Sequence, residues 1–132
     1  MDARLAPEAA YGLPLGSVNI IRNAGGSARD ALRSLLLSNH LLGTEEVLIV
    51  KHTKCGLLGA TNKMGRELLK ANLGIKESEE LDNMDFLPIE DLEKATKDDV
   101  EYYRNHKLRL AKVKVSGWIH DVDTGIIKKI VE

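Results

Sequence analysis

Cysteine is nearly absent from this chain of 132 residues, since Cys55 stands alone. A single thiol closes no internal disulfide, which fits a reducing compartment. Long apolar runs are missing too. Stretches such as Leu35–Leu37 and Val47–Val50 fall far short of a bilayer span. The opening Met1-Asp2-Ala3-Arg4 lacks the basic-then-apolar order of a signal peptide. A cytoplasmic setting with no membrane partner is therefore expected. Nor is there an excess of charge. Nineteen Lys and Arg against 20 Asp and Glu leave a net charge of −1, and the signs are intermixed. That excludes the basic stripe of a nucleic-acid binder. No repeat, low-complexity stretch or linker divides the chain, so one domain over 1–132 is expected. Aromatics are scarce, and the single Phe86 and Trp118 are expected in the core.

What remains reads as alternating strands and helices. Val18–Arg22 is a β-branched run that ends at Asn23-Ala24-Gly25-Gly26, a strand entering a tight turn. Ser27 and Asp30 resemble a capping box. Ala31, Leu32, Leu35, Leu36 and Leu42 follow at helical spacing, and Gly43 closes the helix. Val47–Val50 is continuous enough for a strand buried on both faces of a parallel sheet. Thr61 or Asn62 caps a second helix through Met64, Leu68, Leu69 and Leu73 to Gly74. Residues 76–85 read as an acidic surface loop. Pro88 is placed in the first turn of a third helix with Ile89, Leu92, Ala95 and Val100 behind it. Val113–Ile119 and Gly125–Val131 flank a turn cluster and predict a terminal hairpin. The expected class is α/β, a mostly parallel sheet flanked by helices with a C-terminal antiparallel hairpin.

The chemistry gathers at "KHTKCG", residues 51–56, just past the carboxyl end of Val47–Val50. His52 and Cys55 supply an imidazole and a thiol three residues apart, two donors of the kind zinc takes. Asp2, His40, His106 and His120 are the other candidates for a ligand set. Asp2 and Arg4 read either as a solvated terminal pair or as an acid oriented by a guanidinium. Gly25-Gly26 before a helix could cradle a phosphate, but no G-x-G-x-x-G or P-loop lysine accompanies them. They read better as a turn that lets the backbone pass close to a cleft.

Several stretches together resemble one family. "MDARLAPEA", "VNIIRNAGG", "RSLLLSNHLLGTEEVLIVKHTKCG", "DFLPIEDLE" and "VSGWIHDVDTGIIKKIVE" are similar to the β-class carbonic anhydrases of the compact prokaryotic and fungal type. The likeness runs over the whole chain. It implies Zn2+ held by two cysteines and a histidine, with His52 and Cys55 as second and third ligands. The first ligand is the cysteine of Cys-x-Asp-x-Arg, which would stand immediately before Met1, at the end of a first central strand. That strand belongs between Val18–Arg22 and Val47–Val50, and these 132 residues do not contain it. Asp2 and Arg4 match the family's catalytic dyad. The aspartate accepts a hydrogen bond from zinc-bound water or closes the site on the metal, and the arginine draws it away.

The implied reaction is reversible hydration of CO2 to bicarbonate, in a homodimer or larger oligomer. Carbonyl sulfide and carbon disulfide are the substrate variants. The alternatives are a zinc-poor relative with different small-molecule chemistry and a non-catalytic partner subunit. Lys51 and Lys54 stand where the family often has glycine or histidine and aspartate. The two added charges are expected to favour a thiolate at Cys55 and the approach of anions.

Overall fold

The computed structural model describes residues 1–132. Its sheet has three strands: β1 (Glu46–His52), β2 (Lys114–His120) and β3 (Ile127–Val131), in the order β1-β2-β3. β1 and β2 are parallel and in register from Glu46↔Lys114 to His52↔His120. β2 and β3 form the expected antiparallel hairpin, with a register shift at Gly117/Trp118. The turn between them is held by the Asp121 carboxylate, which accepts from the backbone N–H of Asp123 and Thr124. Those two donors hold its carboxyl below the usual carboxylate range.

Five helices accompany the sheet: α1 (Pro7–Ala10), α2 (Ala28–Leu41), α3 (Asn62–Leu73), α4 (Glu79–Asn83) and α5 (Leu92–Arg104). Side chains predicted as caps do cap. Ser27 accepts from Asp30 N–H at 3.4 Å and Thr61 from Met64 N–H at 3.1 Å. Gly74 closes α3 in the left-handed region. The third long helix starts later than its sequence suggests. Asp91 accepts from Lys94 N–H at 2.6 Å and caps α5, so Pro88 and Ile89 precede the helix. Ile89 instead forms a bridge with Leu58 and is buried. Residues 76–85 are also not all loop, because Ser78 caps the short helix α4 and Leu81 is buried.

The core lies between the sheet and the α2–α5 layer. Val47 and Ile49 of β1, Val113 and Val115, Val100 and Tyr103 of α5, and Ala28 and Leu35 of α2 form one cluster. Tyr103 donates to the Asn39 side chain, so its hydroxyl is satisfied inside that core. Gly117 lets α5 approach. A Cβ there would lie 2.7 Å from Thr96 Cγ2 and 2.9 Å from both Val100 Cγ2 and Val131 Cγ1. Gly117→Ala is therefore expected to destabilise the fold by about 1–3 kcal/mol through overpacking. A urea midpoint equal to that of the parent would contradict this.

Three further expectations need correction. Val18–Arg22 is not a strand, since no backbone ladder joins it to the sheet. β1 is consequently an edge strand, and its burial is one-sided: Val47 and Ile49 are buried while Leu48 is half exposed. Between the two segments lies a cavity of about 1460 Å3 lined by Val18, Ile20, Ile21, Leu48 and Val50 among others. Finally, Phe86 and Trp118 are half-buried rather than core. Phe86 covers Gly65, and the Trp118 indole donates to Ser116 Oγ at 2.9 Å beneath the Lys129 ammonium.

Candidate active site

β1 ends at His52, and the loop that follows brings Cys55 to the same cavity. His52 is buried on the strand end. Its Nδ1 lies 2.8 Å from the Thr53 carbonyl, which can only accept. Nδ1 is therefore the donor, and in the neutral ring Nε2 is the atom with a lone pair for a ligand. Lys54, between the histidine and the cysteine, adopts a left-handed backbone at φ 54°. For a lysine that costs on the order of 1 kcal/mol. Two contacts hold it there: Arg4 Nη2 donates to its carbonyl at 3.0 Å, and its ammonium pairs with Asp123.

The N-terminal segment delivers the acid. Asp2 is clamped by Arg4 through three bonds: Nε to Oδ1 at 2.9 Å, Nη2 to Oδ2 at 2.7 Å, and the Arg4 backbone N–H to Oδ1 at 2.9 Å. Asp2 Oδ2 faces His52 Nε2 at 3.7 Å. The segment is tied down by Arg22 Nη2, which donates to the Asp2 carbonyl at 2.6 Å, and by the Met1 ammonium on the Asn23 carbonyl at 2.9 Å. Sequence spacing left open whether Asp2 and Arg4 were a solvated pair. The geometry is that of the oriented acid, a fork-on-fork pair.

Arg4's side-chain bonds, then its backbone N–H, hold the Asp2 carboxyl far below the usual carboxylate range, and the same contact raises Arg4. Asp2 is thus ionised throughout the physiological range. An unfolded aspartate titrates near 3.9, roughly. The folded value is lower, so whatever stability the clamp adds is present above that pH and is lost as pH falls towards the folded pKa. In a carboxyl-carbon NMR titration, Asp2 is expected to stay unprotonated from pH 6 to about 3. Arg4→Gln should return its midpoint towards the ordinary value. A midpoint left unmoved by that substitution would show that the clamp is not the cause.

The remaining histidines fall into different places. His40 on α2 bonds the Leu108 carbonyl at 2.8 Å. His106 follows α5 and tilts against Tyr102. His120 is brought beside His52 by the parallel register, and its Nδ1 lies 3.0 Å from Tyr11 Oη. Tyr11 also lines the cavity, and burial pushes its hydroxyl pKa up. No motif in the sequence marks Tyr11, because its role depends on a strand register more than a hundred residues away. The added charge expected from Lys51 and Lys54 is also redistributed. Lys51 is buried on Asp99 and Lys54 is paired with Asp123, so neither ammonium is free beside Cys55.

His52 and Cys55 are thus two zinc-type donors, one at the end of β1 and one on the loop after it, with Asp2 beside the imidazole but engaged by Arg4. No group of three or more His, Cys, Asp or Glu side chains is placed to hold a metal. These 132 residues by themselves do not complete a zinc site. No helix is long and apolar enough to cross a membrane.

Known proteins give the arrangement a context. Residues 1–127 match the family model described as carbonic anhydrase. A carbon disulfide hydrolase of Acidithiobacillus thiooxidans is 34% identical over 149 residues, covering 97% of this chain and 72% of that protein. The crystal structure of carbonic anhydrase from Streptococcus mutans superposes with a TM-score of 0.90 at 39% identity, over 98% of this chain and 76% of that one. Carbonic anhydrase from Glaciozyma antarctica also gives 0.90, at 40% identity, over 99% of this chain and 78% of that one. With a family match over nearly every residue and a shared fold at that identity, the chain belongs to the β-carbonic anhydrase family.

Proposed function

We propose that the chain adds water to a small linear carbon substrate, with carbon dioxide first: carbon dioxide and water give bicarbonate and a proton. The observation that carries this reading is the Asp2–Arg4 clamp facing His52 Nε2 at 3.7 Å, beside Cys55 and open to one cavity. Zinc enters the reading with His52 and Cys55 as two of its ligands. Arg4 keeps Asp2 ionised and fixed in orientation. As a carboxylate, Asp2 can only accept hydrogen bonds. It takes one O–H of the attacking water, which turns an oxygen lone pair towards the substrate carbon. Thr53 fixes the His52 tautomer through Nδ1. The proton released passes to buffer.

A second substrate reading is favoured by the 34% identity to a carbon disulfide hydrolase along almost the whole chain. There one carbon disulfide and two waters give one carbon dioxide and two molecules of hydrogen sulfide. Both reactions need the same first step, attack of an oriented water on a central carbon. We also place the working form as a dimer. α3 buries none of its residues, and Met64 and Leu68, one turn apart, stay exposed on one face of it, apolar side chains suited to contact with a second copy.

The test assays the purified, zinc-supplemented protein for carbon dioxide hydration with a pH indicator and for hydrogen sulfide release from carbon disulfide, with its mass read by light scattering. Hydration that depends on the added zinc is expected. Hydrogen sulfide release alone would move the substrate to carbon disulfide. A folded, zinc-free protein with neither activity would sink both, in favour of a zinc-poor binding or partner subunit.

A further inference from the structure

Lys51 precedes His52 on β1, so the two side chains point to opposite faces of the strand. Its side chain is 3% exposed, and the ammonium has three acceptors: Asp99 Oδ2 at 2.7 Å, the Gly25 carbonyl at 2.8 Å and the Gly26 carbonyl at 3.3 Å. All three donors of the group are used. Asp99 comes from α5 and is itself buried. The ammonium therefore joins a helix, a strand and a turn that are distant in sequence.

The turn it holds is a 3-10 turn, Ala24–Gly26, with Gly25 at φ 67° and Gly26 at φ 58°. A Cβ on Gly26 would lie 2.6 Å from the Val50 carbonyl oxygen, so the turn rests directly on the β1 backbone. Asn23 frames the turn by bonding both the N–H and the carbonyl of Ser27. The residues just before the turn carry the acid. Arg22 holds the Asp2 carbonyl and Asn23 receives the Met1 ammonium. One continuous path of contacts thus runs from Asp99 through Lys51, the glycine turn and Arg22-Asn23 to Asp2. Its other end is the strand that bears His52.

We propose that Lys51, anchored by Asp99, is a positioning residue: it latches the glycine turn to the end of β1 and so sets the separation of Asp2 from His52. This rests on the reading of Asp2 and His52 as the reacting pair. Neither Lys51 nor Asp99 touches the reacting atoms.

The test removes both charges together, because a lone buried charge would unfold the chain for an unrelated reason. Lys51→Met with Asp99→Leu leaves the Gly25 and Gly26 carbonyls without their donor. Lys51→Gln with Asp99→Asn keeps polar side chains but removes the charge and shortens the donor's reach to the two carbonyls by one atom, and serves if the apolar pair folds poorly. Amide hydrogen exchange is read at Gly26 and Ser27 and compared with Leu35 in α2. A nuclear Overhauser contact between the His52 ring and Asp2 reports their proximity. Exchange at the turn is expected to rise at least about tenfold with Leu35 unchanged, and the Asp2–His52 contact to fade. Turnover, where the parent has it, should fall by roughly 10- to 100-fold with little change in KM. Unchanged turn protection together with a retained Asp2–His52 contact would overturn the latch. An exchange response in a parent without turnover would count against the reaction proposed and leave the latch standing.

Discussion

A β-branched strand ending in cysteine, joined directly ahead of Met1, is expected to raise the zinc affinity of this chain by roughly a hundredfold or more. The Met1 ammonium already sits on the Asn23 carbonyl, one residue from the Asp2 that faces His52. A thiolate placed there would join His52 and Cys55 as a third protein donor, which leaves one tetrahedral position open. The strand itself has somewhere to go. The cavity of about 1460 Å3 lies between Val18–Asn23 and β1 and is bordered by the outer, unpaired edge of β1. Val18, Ile20, Ile21 and Leu48 are exposed around it. Full burial of such a side chain contributes on the order of 1.5–3 kcal/mol, and covering these half-exposed ones contributes about half of that each. Zinc affinity is measured by competition with a chelating dye. The control is the same strand ending in serine, which should raise the melting temperature without tightening zinc. Equal zinc affinity for the cysteine and serine forms would refute the three-donor assignment.

Asp99→Ala is expected to cost about 3–5 kcal/mol of stability, because it strands the Lys51 ammonium in the interior. The pair has no slack. Lys51 is 3% exposed and Asp99 packs at the same interface as Thr96, Val100 and Tyr103, all fully buried. A loss of that size is comparable with the whole stability of a small domain. Replacing both members by apolar residues should cost far less, since neither charge is then left alone. Chemical denaturation of the single and paired variants separates these outcomes. If Asp99→Ala melts with the parent, the ion pair does not stabilise the fold.

The long helices were legible because their signals are local. Ser27, Thr61 and Gly74 act within one turn of their own positions, as capping chemistry requires. The hairpin was legible for the same reason, with Asp121 and Gly125 enforcing the turn. The errors share a physical cause. Val18–Arg22 has strand chemistry, but a strand needs a neighbour to take its backbone bonds, and no segment of this chain bonds the backbone of these residues. Val47–Val50 reads as buried on both faces, yet burial depends on what covers the second face. Pro88 and Ile89 fit a helix start equally well with or without the Asp91 cap three residues later.

By itself, the sequence determined the alternation of helices with strands, the pair of donors at His52 and Cys55, and the resemblance that named the family. These follow from spacing, residue type and motif order, which need no third dimension. Only the tertiary structure decided that Asp2 is a clamped anion 3.7 Å from His52 rather than a solvated terminus. It alone put Lys51 on Asp99 and the glycine turn, away from Cys55. It alone joined Tyr11 to His120. Each of these contacts spans segments far apart in the chain, or turns on which face of a strand a side chain takes. Register and packing fix such choices, and no window of neighbouring residues contains them.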